Sequence, residues 1–294
     1  MNTKCPWCGS ENFHLHLELK DYFLTQETFK IVECENCHLL YTTPRPTPEE
    51  IGRYYKSENY YSHQENKKGF IPRLYETIKK VNIKHKYKIA SEGILVDENK
   101  QLLEIGCGVG DFLQYAENQG WKCFGAEPSE DAVKILHTKS KAEVIKPEQI
   151  ENYPDESFDL ICMWHVLEHV DNLKWQIDQL SRLVKPNGKI VIALPNYQSY
   201  DAKYYQDKWA AYDVPRHLNH FSKEFISNKL IINGLRCISI KKLIWDSYYI
   251  SYLSEQYKQH KLPLMRGAWR GLVSNLKATR TGEYSSLVYI FKKS

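Results

Sequence analysis

Two groups of residues in this 294-residue sequence have the types and spacing that chemistry requires. The first is a pair of C-x-x-C units, Cys5-Pro6-Trp7-Cys8 and Cys34-Glu35-Asn36-Cys37. Each unit can bring two thiolates to one tetrahedral ion. Two units complete a closed four-thiolate site, which predicts structural zinc, since no coordination position is left open for a substrate. Redox chemistry is the competing reading of a C-x-x-C unit, and the presence of two units disfavours it. Residues between them alternate in places (Phe13, Leu15, Leu17, Leu19; Phe29, Ile31) as ribbon strands do. A metal would supply the stability that so small a module lacks. His14, His16 and His38 are extra potential ligands and read as bystanders.

The second group is Leu102-Leu103-Glu104-Ile105-Gly106-Cys107-Gly108-Val109-Gly110-Asp111-Phe112. An apolar run ends in an acid, three glycines follow at alternate positions, and a helix-like pattern begins. That predicts a buried strand, a tight turn and a helix start whose free N–H groups face a ligand. The spacing is G-x-G-x-G, and Asp111 stands where a dinucleotide fingerprint would have its third glycine; an acid there repels a pyrophosphate. Glu104 suits a ligand carrying positive charge instead. Downstream, Trp121 to Ala126 reads as a second strand with Glu127-Pro128-Ser129 at its end. An acid at that tip can accept both hydroxyl protons of a ribose. A ribose site without a pyrophosphate site points to S-adenosylmethionine, held by Glu104, Gly106, Cys107, Gly108, Gly110, Phe112, Glu127, Pro128 and Ser129.

Here the sequence resembles the class I S-adenosylmethionine-dependent methyltransferases. The resemblance rests on LEIGCGVGDF (103–112), FGAEPS (124–129), FDLICMWHVLEHV (158–170) and VKPNGKIVIALPN (184–196), which fall in the family's order. It implies an α/β fold: a seven-stranded Rossmann-like sheet with an antiparallel strand at one edge, carrying a small N-terminal zinc ribbon. The expected organisation is a ribbon over 1–43, a helical linker or lid over 44–92, and a methyltransferase domain over 93–294. Within that class the two C-x-x-C units, the tyrosine-rich linker and a histidine-containing loop resemble the sugar C-methyltransferases with a zinc module, without their C-terminal domain.

The remaining elements must position an acceptor. Asp159 to Met163 reads as the fourth strand, which brings Trp164 and His165 to the methionine end of the cofactor. His169 is expected to pack at a helix start. Glu168-His169 with His165 has metal-like spacing, but its place after a core strand fits the methyltransferase pattern better. Lys189 to Leu194 is the fifth strand. The long aromatic loop after it carries Arg216, His217 and His220, with His217 or His220 expected as general base and Arg216 as the group that orients the acceptor. Strands near 236–243 and 286–291 close the sheet, with helical material between them. Tyr54, Tyr55, Tyr60 and Tyr61 either face the cofactor or join the two domains. The helix over 70–92 has a basic face (Arg73, Lys79, Lys80, Lys84, Lys86, Lys88) that is a solvated surface or, more sharply, a site for an anionic substrate or membrane.

A net charge of +4 does not argue for nucleic acid. No apolar run is long enough to span a bilayer, and the N-terminus has no apolar h-region. Cys107, Cys123, Cys162 and Cys237 stand singly, as small buried residues do. These features predict a cytoplasmic enzyme acting on a small-molecule acceptor at oxygen or carbon, possible classes being a sugar, cell-envelope or secondary-metabolite precursor. The rival readings are an rRNA guanine methyltransferase, which also carries a zinc module, and a non-catalytic cofactor-binding subunit.

Overall fold

The computed structural model describes residues 4–55, 70–97, 99–230 and 234–293, leaving out the side chains of 48 and 70–78. Tyr60 and Tyr61 and the side chain of Arg73 lie outside this description.

Among the described residues, eleven strands form two sheets. The larger contains β4 (Gln101–Ile105), β5 (Lys122–Ala126), β6 (Glu143–Ile145), β7 (Phe158–Trp164), β8 (Val184–Pro195), β10 (Leu235–Lys242) and β11 (Ser286–Lys293). Their spatial order is β10-β11-β8-β7-β4-β5-β6. The five strands β4 to β8 are mutually parallel, and β11 enters antiparallel between β8 and the edge strand β10. This is the expected seven-stranded Rossmann-like sheet. Helices on both faces explain why β4, β7 and β8 read as continuous apolar runs rather than alternating ones: Leu102, Leu103, Ile161, Cys162 and Val191 are all fully buried. In β10 burial alternates, as an edge strand with one open face requires.

Register brings the strand ends level. Ile105 pairs with Ala126 on one side and with Met163 on the other, and Trp164 pairs with Ala193. Chain order runs outward in opposite directions from β4, so the crevice beyond its carboxyl end is the topological switch point where such sheets bind ligands.

The smaller sheet has the order β1-β2-β3-β9, with β1 (Phe13–Lys20), β2 (Thr28–Cys34) and β3 (Leu40–Thr43) from the N-terminal module. Its fourth strand, β9 (Asn219–His220), comes from the loop after β8 and pairs Leu40 with His220 and Tyr41 with Asn219. The ribbon and the expected acceptor loop thus share one sheet. Between β10 and β11 the chain forms two helices, Asp246–Tyr257 and Pro263–Thr281, packed on each other.

Candidate active site

The glycine loop follows β4 as a turn with three left-handed residues: Gly106 at φ +70°, Gly108 at +52° and Gly110 at +76°. At Gly106 a Cβ would sit 2.4 Å from Val166, so the loop lies directly against the segment leaving β7. At Gly108 it would meet nothing within 4 Å, leaving an open cradle. Glu127 faces this cradle and is oriented by backbone donors: Gly108 N–H donates to Oε2 at 2.8 Å and Ser129 N–H to Oε1 at 2.9 Å. Ser129 also caps the helix Glu130–Leu136. Asp111 is neutralised by Lys79 at 2.6 Å and by Lys139. Burial works against its charge, but the two lysines outweigh it and hold the carboxyl below its usual range.

Glu104 lies under the loop, 4% exposed, with Oε2 lacking any hydrogen-bond partner. Burial, reinforced by the negative charges of Asp111 and Glu127, pushes its carboxyl well above the ordinary range despite Lys86. An unpartnered buried carboxylate beside an open glycine cradle is the environment a cationic ligand completes. These residues fit S-adenosylmethionine, whose sulfonium and amino group are positive and whose ribose matches Glu127. Phe112 and Trp164 form the apolar wall, with ring centroids 5.4 Å apart and the Lys86 ammonium 5.0 Å over the Trp164 ring. Cys107 is buried against the loop, its thiol pushed up by burial. Pro128 continues the turn between Glu127 and Ser129.

Beyond Val166 a second group of titratable side chains begins. His165 takes the left-handed conformation (φ +60°), uncommon for a residue with a side chain. Its Nε2 meets Asp246 at 2.9 Å, and its Nδ1 lies 3.5 Å from Glu168 Oε1. Burial opposes charge on this imidazole, but Asp246 and Glu168 outweigh it and push the pKa up to about 9. Glu168 is 2% exposed, and neither of its carboxylate oxygens has a hydrogen-bond partner. Donor atoms of Glu168, His169 and His217 all lie within 4.8 Å of one another, and the two imidazole rings meet edge to face at 4.6 Å. His217 Nδ1 donates to the Ala211 carbonyl at 2.9 Å, and His169 Nδ1 sits 2.9 Å from both the Arg216 carbonyl and the Tyr55 hydroxyl. With Nδ1 committed to carbonyls, Nε2 is the unprotonated nitrogen of each ring. Burial and the neighbouring His217 push His169 down to about 4. Glu168 and His217 line a cavity of about 10 Å³, the size of one water, together with Tyr197, Trp209 and His220.

Three expected roles change. Arg216 is 1% exposed, and its guanidinium donates to Asp213, to Asp21 at 2.8 Å and to the Tyr54 carbonyl at 3.1 Å. The buried Asp21 and the partly exposed Asp213 already answer its charge, so it ties the loop to the β1–β2 turn and has no carboxylate-free face left for an acceptor. His220 is held by its Nε2 against Thr42 Oγ1 at 3.0 Å, and Thr42 in turn donates to the His217 carbonyl at 2.7 Å. It braces the loop on the ribbon; burial pushes its pKa well below the ordinary value. His169, expected chiefly to pack, lies with Glu168 and His217. Asp246 and Thr42 were missed: each reaches the site from a distant segment, and no local motif marks them. Tyr55, expected to face the cofactor or join the modules, meets His169, and Lys86 of the basic helix face lies over Trp164. Tyr54 joins the modules, buried against Phe29 and donating to Glu27 at 2.7 Å.

The four cysteines of the ribbon converge as their spacing predicts. Sγ atoms of Cys5 and Cys37, and of Cys8 and Cys34, lie 3.5 Å apart, and all four fall within 4.8 Å. Four thiolates at Zn–S bonds of about 2.3 Å have edges of roughly 3.8 Å, so the cluster suits one zinc ion. His14 and His38 pair with Glu33 instead.

Comparison with known proteins agrees with this geometry. A family model described as "Methyltransferase domain" matches residues 81–240, more than half of the chain. The mitochondrial ubiquinone biosynthesis O-methyltransferase of Dictyostelium discoideum is 26% identical over 193 residues, covering 56% of this chain and 60% of that protein. The ubiquinone biosynthesis O-methyltransferase of Rhizobium rhizogenes is 29% identical over 106 residues, 34% of this chain and 42% of that one. The chain thus spans only about half the length of these relatives. Among solved structures, the geranyl diphosphate C-methyltransferase of Streptomyces coelicolor A3(2) superposes with a TM-score of 0.58 at 13% identity, over 85% of this chain and all of that one. The [4+2]-cyclase SpnF does so at 0.54 and 15% identity, over 85% and 97%. These two likenesses concern the fold alone. With the family model spanning more than half of its length and the cofactor cleft formed at the switch point of its sheet, this chain belongs to the methyltransferase-domain family of class I, S-adenosylmethionine-dependent enzymes.

Proposed function

We propose that the protein transfers a methyl group from S-adenosylmethionine to a hydroxyl of a small-molecule acceptor, with His217 as general base. The observation that carries this is the contiguity of two unfinished sites. The glycine loop, with Glu104 Oε2 accepting no hydrogen bond, abuts Val166, and the next turn bears Glu168, which faces the charge of His165 but likewise accepts no hydrogen bond, beside His169 and His217. The cofactor, when bound, supplies a methyl group already activated by its sulfonium. What remains for the chain is to align the acceptor, exclude water and accept a proton. His217 Nε2 would take the hydroxyl proton, and the Glu168 carboxylate would stabilise the imidazolium so formed. The O-methyltransferases among the relatives favour oxygen over carbon as the acceptor atom. A sugar or another hydroxylated precursor fits the same chemistry.

The ribbon, on this reading, is a structural zinc module that braces the acceptor loop through β9 and Thr42. The rRNA alternative has less to rest on, because Lys79 and Lys86 on the helix Phe70–Ser91 are engaged with Asp111 and Trp164, which leaves Lys80, Lys84 and Lys88 as its exposed lysines. The test is incubation with cofactor carrying a labelled methyl group and a panel of hydroxylated ring and sugar acceptors. Label on acceptor oxygen is expected. Tight cofactor binding with no turnover on any acceptor would favour the non-catalytic reading instead.

A further inference from the structure

The helical hairpin between β10 and β11 is built inside out. In Pro263–Thr281 the buried face consists of Gly267, Gly271, Ser274 and Ala278, the two glycines against the partner helix and Ser274 donating to Asp201. A Cβ at Gly267 would lie 2.6 Å from Tyr252 Cα, and one at Gly271 2.8 Å from Tyr248 Cα, so the two backbones touch. Such close packing leaves the large apolar residues nowhere to go but outward. Leu262, Met265, Trp269, Leu272 and Leu276 recur at intervals of three and four and form one ridge. Met265 is 68% exposed, Trp269 62% and Leu276 60%. A ridge of this kind on an otherwise polar surface marks an interaction site.

Charge says what kind. From Gln256 to Gly282 the chain carries Lys258, Lys261, Arg266, Arg270, Lys277 and Arg280 and no acid. On a helical wheel Arg270, Lys277 and Arg280 flank the ridge on one side; Arg266, on the same side, is paired with Glu255 at 2.8 Å. Arg270 and Lys277 lie over the Tyr204 and Tyr200 rings, at 3.9 and 3.8 Å, contacts that fix their stems without cancelling their charge. A second copy using the same face would set these cations against each other. An anionic lipid surface answers both features, taking the apolar ridge into the acyl boundary and the cations among the headgroups.

We propose that this hairpin docks the protein on anionic membranes, lying in the interface. No helix of the described residues is long and apolar enough to cross one. The proposal does not depend on the acceptor or on turnover. The test is flotation of the full-length protein with vesicles of phosphatidylcholine alone or mixed with phosphatidylglycerol. Co-flotation with the anionic vesicles, weakening as salt rises, is expected. The double variant Met265→Ser with Trp269→Ser removes two exposed apolar groups, so it should bind at least about tenfold more weakly while melting at the wild-type temperature. Three results would overturn the assignment. These are no flotation, equal flotation with the neutral vesicles, and a solution dimer that the same two substitutions dissociate.

Discussion

His165 at the end of β7 and Asp246 at the head of the helical hairpin meet at 2.9 Å, which ties the cofactor end of the sheet to its last insertion. The pair has a defined pH signature. His165 is raised from its ordinary 6.5 to about 9, so its contribution to stability is fully present below about 6.5 and is lost as pH rises through about 9. Asp246→Asn should therefore lower the melting temperature at pH 6.5, by an amount matching about 1.5–3 kcal/mol for a charge-assisted bond. The gap from wild type should close by pH 9.5 or so. Thermal melts of both proteins across that range decide it, and a gap that stays constant would mean the imidazole is neutral throughout.

Glu104 and Glu127 should respond to substitution in different ways. Glu127→Ala removes an acceptor of hydrogen bonds to the ribose, and calorimetry should find S-adenosylmethionine binding about tenfold weaker or worse. Glu104→Gln removes a buried carboxylate with one oxygen, Oε2, that accepts no hydrogen bond in the free protein. It should weaken cofactor binding while leaving the ligand-free protein as stable as wild type, or more so. A large loss of ligand-free stability would show that Glu104 already has a partner there.

The cofactor half of this site was legible because its signals are local. The acid, the alternate glycines and the acid at the next strand tip each lie within a few residues of the backbone they shape, and the structure brings them together. The acceptor half was legible only in outline. His217 stood out as a histidine in an aromatic loop, yet nothing near Arg216 in sequence announces that Asp21 will reach it across the ribbon. Asp213 is three residues from Arg216, but one carboxylate alone would not have distinguished a clamp from an acceptor site. Likewise β9 is two residues long, too short for any alternation, so its pairing with β3 is a purely tertiary fact.

That pairing makes the cysteine ribbon a brace for the loop that carries His217. Anaerobically purified protein should hold one zinc per chain, lost on Cys34→Ser, and elemental analysis finding none would remove the metal altogether. Because Thr42 carries the His217 carbonyl and the His220 ring, losing the ion should also slow turnover. The central sheet should remain folded, with cofactor affinity close to wild type. Equal losses of cofactor affinity and of turnover would instead mean that the ribbon supports the whole fold.

His217 and Arg216 are adjacent in the chain, and their substitutions should fail for different reasons. His217→Ala should slow the chemical step about 10²–10⁴-fold in single-turnover kinetics at saturating cofactor, and it should also lower the melting temperature, since the Ala211 carbonyl loses its donor. His220→Ala should cost a similar amount of stability but much less in rate, since that ring is bonded to Thr42. Asp21→Asn strips one of two carboxylates from a buried guanidinium and also weakens the turn it organises through Phe23, Leu24 and Thr25. Breaking a buried ion pair from one side costs about 3–5 kcal/mol, so this variant should unfold at lower denaturant while its surviving folded fraction still binds cofactor. Should His217→Ala keep near-wild-type chemistry, His169 is the next base to test, for its ring lies in the same group as Glu168. Should Asp21→Asn instead raise the acceptor KM with stability untouched, Arg216 would regain the orienting role that its burial now argues against.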